Sequence, residues 1–121
     1  MQYIGIDIIE IGRVQKALER WGQRFLRRVY TAAELEECRG RASRLAARFA
    51  AKEAVMKALG TGARGVAWRE VEVVSQRSGA PVVRLYGRAQ ARAKHLGFRS
   101  LAISLSDSHD NAVAVAVGES P

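Results

Sequence analysis

Apolar, mostly β-branched residues fill Ile4-Gly5-Ile6-Asp7-Ile8-Ile9 with only loose alternation. Residues 2 to 10 therefore predict a strand covered on both faces. Gly12 breaks it. From Val14 to Val29 the spacing becomes helical. Val14, Leu18, Trp21, Phe25 and Leu26 fall on a core face, with Arg13, Lys16, Arg20, Arg24, Arg27 and Arg28 on the other. Thr31 followed by Glu34 has the form of a capping box, which starts a short helix through Cys38 that Gly40 ends.

Ser43 is a candidate cap for a further helix running to Leu59, and Gly60 to Gly65 then predict a flexible glycine-rich loop. Val71 and Val73 alternate with polar residues, which predicts a strand over 69–75. Ser78-Gly79 turns the chain into a returning strand from Pro81 to Tyr86. Gly87 to His95 is helical in pattern and Gly97 stops it. Ser100 to Ser106 and Ala112 to Val117 pair as a closing hairpin around Asp107 to Asn111. Helices beside mostly antiparallel strands predict an α+β fold. No repeat, linker or low-complexity tract divides residues 1–121, so one domain is expected.

No stretch is long and apolar enough to predict a membrane span, and the chain enters its first strand without a leader-like segment. Cys38 is the only cysteine, which predicts no internal disulfide and a reducing, cytoplasmic setting. Twenty basic side chains against 12 acidic ones give a net charge of +8, and 16 of the 20 are Arg. Such a surface attracts anions, whether nucleotide, nucleic acid or acidic protein. For most of these arginines, ordinary surface solvation is an equal reading.

Two acids stand out in apolar settings. Asp7 interrupts the first strand, where an unpaired charge is costly; a metal ion or an Arg partner such as Arg13 would account for it. Glu53 lies in Arg48-Phe49-Ala50-Ala51-Lys52-Glu53-Ala54-Val55-Met56-Lys57-Ala58-Leu59-Gly60-Thr61-Gly62. Phe49, Glu53 and Lys57, four apart, share one side of a helix, although Glu53 with Lys57 is also an ordinary surface pair. Together, two carboxylates suit Mg²⁺, which takes carboxylate and phosphate oxygens and keeps several waters. Lys52 and Lys57 are candidates to neutralise phosphate, and Gly60-Thr61-Gly62 to offer backbone N–H groups. The glycines follow the helix, so this is not a P-loop. His95 fits a helix C-terminal charge, whereas His109, near Asp107 and Asp110, is either a phosphate contact or base, or part of a solvated turn.

Gly5-Ile6-Asp7-Ile8 with Arg13, and Arg48 to Ala54 with Lys57-Ala58-Leu59-Gly60-Thr61-Gly62, resemble the signatures of the holo-[acyl-carrier-protein] synthases, the small bacterial 4'-phosphopantetheinyl transferases. The similarity extends over nearly the whole chain. It implies transfer of 4'-phosphopantetheine from coenzyme A to a serine of apo acyl carrier protein, with release of adenosine 3',5'-bisphosphate. It further implies Asp7 and Glu53 as Mg²⁺ ligands, and Asp7, Glu53 and Lys57 as the catalytic set. Lys52, Lys57, Gly60, Thr61, Gly62, Asp107 and His109 would meet the coenzyme. A homotrimer with active sites shared between subunits is implied, as is an Arg13, Arg20, Arg24 and Arg28 face for an acidic carrier helix. The family commonly has His where this chain has Asp107, and His109 comes two residues later. The rival by composition is a non-catalytic, basic nucleic-acid-binding module, which needs exposed aromatics; Trp21 and Phe25 are expected on the apolar face instead.

Overall fold

The computed structural model describes residues 1–121 apart from the side chain of Ala63. Strand β1 (Gln2–Glu10) leads into α1 (Ile11–Trp21), α2 (Gln23–Val29), α3 (Ala32–Cys38) and the long α4 (Ala42–Leu59). One helical turn, α5 (Gly62–Gly65), and a 3₁₀ turn at Trp68–Glu70 precede the hairpin β2 (Val71–Ser75) and β3 (Pro81–Leu85). Helix α6 (Gly87–Leu96), β4 (Ser100–Asp107) and β5 (Asn111–Glu119) complete the chain. The main sheet is antiparallel in the order β1-β5-β4, and β2-β3 form a second, two-stranded sheet. The architecture is the expected α+β fold.

Helix α4 is the centre of the molecule. Twelve of its 18 residues are buried, so it is covered on nearly all sides and has no single core face. Its alanines make this packing feasible, because small side chains let neighbouring backbones approach. Ala50, Ala54 and Ala58 belong to an apolar cluster with Ala114 and Ala116 of β5 and Val71 and Val73 of β2. Its N-terminal half, through Leu45, Ala46 and Ala47, meets Val14, Val29 and Tyr30 in a second cluster. At the closest approach, Gly5 of β1 lies directly on the helix backbone, and a methyl group there would overlap the Ala54 carbonyl.

Thr31 and Glu34 form the expected capping box: the Thr31 N–H donates to Glu34 Oε1 at 2.8 Å and the Glu34 N–H to Thr31 Oγ1 at 3.3 Å. Glu34 is fully buried and also accepts the Val73 N–H at 2.7 Å, tying α3 to β2. Its charge is balanced by Lys52, whose Nζ lies 2.8 Å from Glu34 Oε1. Lys52 is itself fully buried and donates to the carbonyls of Trp68 and Val71 as well. An ammonium has three donors. All three are used, which corrects the expectation that Lys52 faces phosphate.

Other expectations also change. The helix predicted over 14–29 is broken at Gly22, whose φ of +52° and ψ of −126° suit only glycine. The break leaves Trp21 48% exposed. Residues 62–65 form a helical turn, not an open loop, and Arg41, not Ser43, occupies the N-cap of α4 without a side-chain bond. Strand β1 is covered on one face only. Ile4, Ile6 and Ile8 point away from α4 with 62, 61 and 66% exposure, alongside Val117, Val115 and Val113 of β5.

Two substitutions test this packing by chemical denaturation. Lys52→Met leaves Glu34 as a buried, unbalanced charge and should lower stability by about 3–5 kcal/mol. Gly5→Ala should lower it by about 1–3 kcal/mol, because the strand must move off the helix.

Candidate functional site

The contact at Gly5 determines what lies beside it. Asp7, two residues along the same face of β1, is brought against Glu53 and Lys57 on α4. Lys57 Nζ donates to Asp7 Oδ1 at 3.1 Å and to the Ile6 carbonyl at 2.9 Å. The Asp7 side chain is only 13% exposed and that of Lys57 53%, so the ammonium reaches solvent while anchored at its base. Glu53 is held above the usual carboxylate range, chiefly by burial and next by the neighbouring Asp7 charge, with Lys57 and Arg13 acting in the opposite sense.

Asp7, Arg13 and Glu53 line a pocket of about 310 Å³ whose apolar wall includes Phe25 and Phe49. Phe49 is fixed by stacking on Trp68, with ring centroids 4.7 Å apart. Phe49, Glu53 and Lys57 therefore do share one side of α4, as their spacing predicts. Arg13, expected either as a partner of Asp7 or among the docking arginines, lines the pocket with both carboxylates. Among the described residues no group of three acidic, histidine or cysteine side chains gathers for a metal. Two adjacent carboxylates in a partly buried pocket nevertheless fit a hard divalent cation, since each raises the cost of the other's charge and the cation would offset both.

At the end of α4, Gly60 adopts φ +75° and Gly62 φ +58°, and the Thr61 N–H closes the helix on the Met56 carbonyl. Nothing lies within 4 Å of where a Gly62 side chain would start, so the backbone there is open to approach. The buried Thr61 hydroxyl has no partner among the described residues. Arg92 Nε donates to the Leu59 carbonyl at 2.9 Å and steadies this helix end.

Asp107 and His109 are not brought to this site within one chain. Asp107 pairs with Ala112, which pairs in turn with Ile9, so it stands at the opposite edge of the sheet from β1. His109 is almost fully exposed, its Nδ1 3.0 Å from Asp110. Asp107 instead lines a 140 Å³ hollow with Ser106, Arg44 and Arg48. A broader hollow of about 810 Å³ adjoins it, lined by Glu36, Glu37, Arg39, Arg44, Arg48 and Ser75. Arg48 is largely buried and paired with Glu37 at 3.2 Å, yet its Nε has no partner among the described residues. Arg39 is the one non-glycine residue with positive φ among those described, at +50°. This arginine cluster is absent from the expected site. A sequence signal for it exists: Arg44 and Arg48, four apart on a helix, repel each other unless an anion joins them.

Of the remaining docking candidates, Arg24 and Arg28 line a third hollow with Trp21 and Phe25, and Arg20 lies over the Trp21 ring. The exposed indole removes the objection to a nucleic-acid module that rested on a buried Trp21.

Comparison with known proteins decides the family. Residues 3–116 match the model of the 4'-phosphopantetheinyl transferase superfamily. The holo-[acyl-carrier-protein] synthase of Herpetosiphon aurantiacus is 53% identical, with 98% of each chain covered. That of Dehalococcoides mccartyi (strain 195) is 47% identical over 98% of this chain and 99% of its own. Among solved structures, the synthase of Helicobacter pylori in complex with coenzyme A superposes with a TM-score of 0.88 at 31% identity, covering 96% of this chain and 99% of that one. The Neisseria meningitidis synthase gives 0.87 at 38% identity, covering 98 and 99%. This chain belongs to the holo-[acyl-carrier-protein] synthases of the 4'-phosphopantetheinyl transferase superfamily.

Proposed function

We propose that the protein transfers 4'-phosphopantetheine from coenzyme A to a serine hydroxyl of apo acyl carrier protein, and that the Asp7–Glu53 pocket is where the transfer occurs. The observation that carries this is the pair of carboxylates sharing one pocket with Lys57 anchored beside them, in a fold that a coenzyme A-bound relative also has. In the reaction the serine oxygen bonds to the β-phosphorus of coenzyme A, and the bridging bond to the α-phosphate breaks. Adenosine 3',5'-bisphosphate leaves, and the serine proton passes to solvent or a base.

Asp7 and Glu53 are the groups that would hold Mg²⁺, which when bound polarises the phosphoryl group and offsets charge as the leaving group departs. Lys57 presents its ammonium toward the diphosphate while Asp7 fixes its position. Glu53 would also orient the attacking hydroxyl or a water. The open backbone at Gly60-Thr61-Gly62 offers N–H donors to the coenzyme. Lys52 has no part in binding; it holds α4 in register with α3 and β2.

The site is completed by a second copy of the chain in a homotrimer. The uncovered Ile4, Ile6 and Ile8 face supports association, since an apolar sheet face of this kind is normally covered. The arginine hollow near Asp107 lies at one sheet edge and the carboxylates at the other, so a neighbour's β4 edge set beside this chain's β1 edge would bring Arg44, Arg48 and Asp107 to the coenzyme. His109, in the adjoining turn, would lie at the rim. Arg20, Arg24 and Arg28 remain for an acidic carrier. Among the described residues no helix is long and apolar enough to cross a membrane. The buried lone Cys38 and the coenzyme A substrate favour a cytoplasmic setting.

Intact mass of an apo acyl carrier protein, after incubation with this protein, coenzyme A and Mg²⁺, tests the reaction. A phosphopantetheine adduct should form, and should fall at least 100-fold in rate for Asp7→Ala or Glu53→Ala and on chelation of the metal. No adduct from folded wild-type protein on several carriers would refute it. Ile4→Glu places a charge on the uncovered sheet face away from Asp7. Light scattering should show this variant as monomers, with transfer reduced more than tenfold; a wild-type monomer with full activity would refute the shared site.

A further inference from the structure

We propose that Arg92 is a positioning residue for coenzyme A: from α6 it locks the last peptide unit of α4, so that the Gly60-Thr61-Gly62 turn holds its binding form before the coenzyme arrives. This rests on the transfer function proposed above and adds a residue on an element outside the lining of the carboxylate pocket. Helix α6 carries four basic residues, of which Arg88, Lys94 and His95 are exposed and Arg92 is half-buried. Among the described residues no acidic side chain comes within 4.0 Å of the Arg92 guanidinium. Its Nε donates to the Leu59 carbonyl at 2.9 Å. A half-buried cation that meets a main-chain carbonyl and no acid is committed to that carbonyl, and its charge lies at the negative end of the α4 dipole.

A helix leaves its last carbonyls without partners inside the helix. In α4 the Gly60 N–H takes the Lys57 carbonyl at 3.0 Å, and the Thr61 N–H takes that of Met56 at 3.1 Å. Arg92 takes the Leu59 carbonyl, which belongs to the same peptide unit as the Gly60 N–H. Both ends of that unit are therefore bonded, and its rotation is opposed. Rotation would otherwise be easy, because Gly60, at φ +75°, has no side chain to resist it. Arg92 Nη2 also stands 3.5 Å from where a Gly60 side chain would begin, so the guanidinium covers the turn there, while Gly62 is open. Arg92 acts from a fixed base. Ala89 is fully buried, Ala93 and Leu96 pack on the same apolar cluster as Leu59, and the Arg88 N–H at the start of α6 donates to Glu70 at 2.7 Å. A turn fixed in advance loses less freedom when its ligand binds, and the difference is gained as affinity.

Calorimetric titration of coenzyme A with Mg²⁺ and no carrier, paired with amide hydrogen exchange, tests this in wild type, Arg92→Met and Arg92→Lys. Arg92→Met keeps the apolar stem and donates nothing. It should bind coenzyme A about tenfold more weakly, and its Gly60 and Thr61 amides should exchange about tenfold faster in the free protein. Arg92→Lys keeps a cationic donor within reach of the Leu59 carbonyl and should recover most of both losses. In steady-state transfer, Arg92→Met should raise KM for coenzyme A and leave kcat and KM for the carrier unchanged. Equal coenzyme affinity in Arg92→Met and wild type, weaker binding without faster exchange at Gly60 and Thr61, or no recovery in Arg92→Lys would each overturn the proposal. Titration and exchange need no turnover, so failure of transfer and failure of positioning are read apart.

Discussion

The contact between Gly5 and the backbone of α4 is the constraint on which the site depends. With no side chain at Gly5 and alanines at 54 and 58, strand and helix touch main chain to main chain. Asp7 is then close enough for Lys57 to bond both its carboxylate and the Ile6 carbonyl. A single methyl group at position 5 would move the strand outward and take Asp7 with it. The same helix is held from its other side by Lys52, whose buried ammonium joins α4 to Glu34 and to the carbonyls of Trp68, in the 3₁₀ turn, and Val71, at the start of β2. Two lysines of one motif, five positions apart, thus have opposite fates: Lys52 fixes the helix, and Lys57 projects from it.

That rigidity allows an unfavourable arrangement to persist. Asp7 and Glu53 are like charges in a partly desolvated pocket, and Glu53 holds its proton more tightly for both reasons. Lys57 and Arg13 offset the repulsion only in part. A cation held as proposed would relieve that repulsion directly. The arginine hollow at the far sheet edge is the complementary case. Arg39, Arg44 and Arg48 converge there, and Arg48 retains a buried donor without a partner among the described residues. One region gathers two carboxylates beside Lys57 and Arg13, the other three guanidinium groups beside Glu36, Glu37 and Asp107.

Local signals in the sequence were sufficient for much of the fold. The Thr31–Glu34 box, the glycine stops after α4 and α6, both hairpins and the common face of Phe49, Glu53 and Lys57 are set by short-range rules, and the structure follows them. What escaped was decided by distant partners. Lys52 looks like a phosphate ligand until Glu34, 18 positions earlier, is seen beside it. Trp21 looks like a core residue because periodicity carries through Gly22, and only a positive φ reveals the break. The outward isoleucines of β1 look buried because alternation was absent, whereas their cover is not within the chain. The arginine hollow joins α3, α4, β2 and the end of β4, and no spacing rule connects those segments.

The shared site proposed above calls for a ring of copies and not a two-fold pair. β1 and β4 are the two edges of the main sheet, with the carboxylates next to one and Asp107 on the other. A contact joining unlike edges is heterologous, and heterologous contacts close only by cyclic symmetry. A two-fold pair would set like edge against like edge, leaving the carboxylate pocket and the arginine hollow apart. The uncovered isoleucine face lies on the side of the sheet opposite α4, while Trp21 lies on the helical side. A contact through the sheet would therefore leave the indole uncovered.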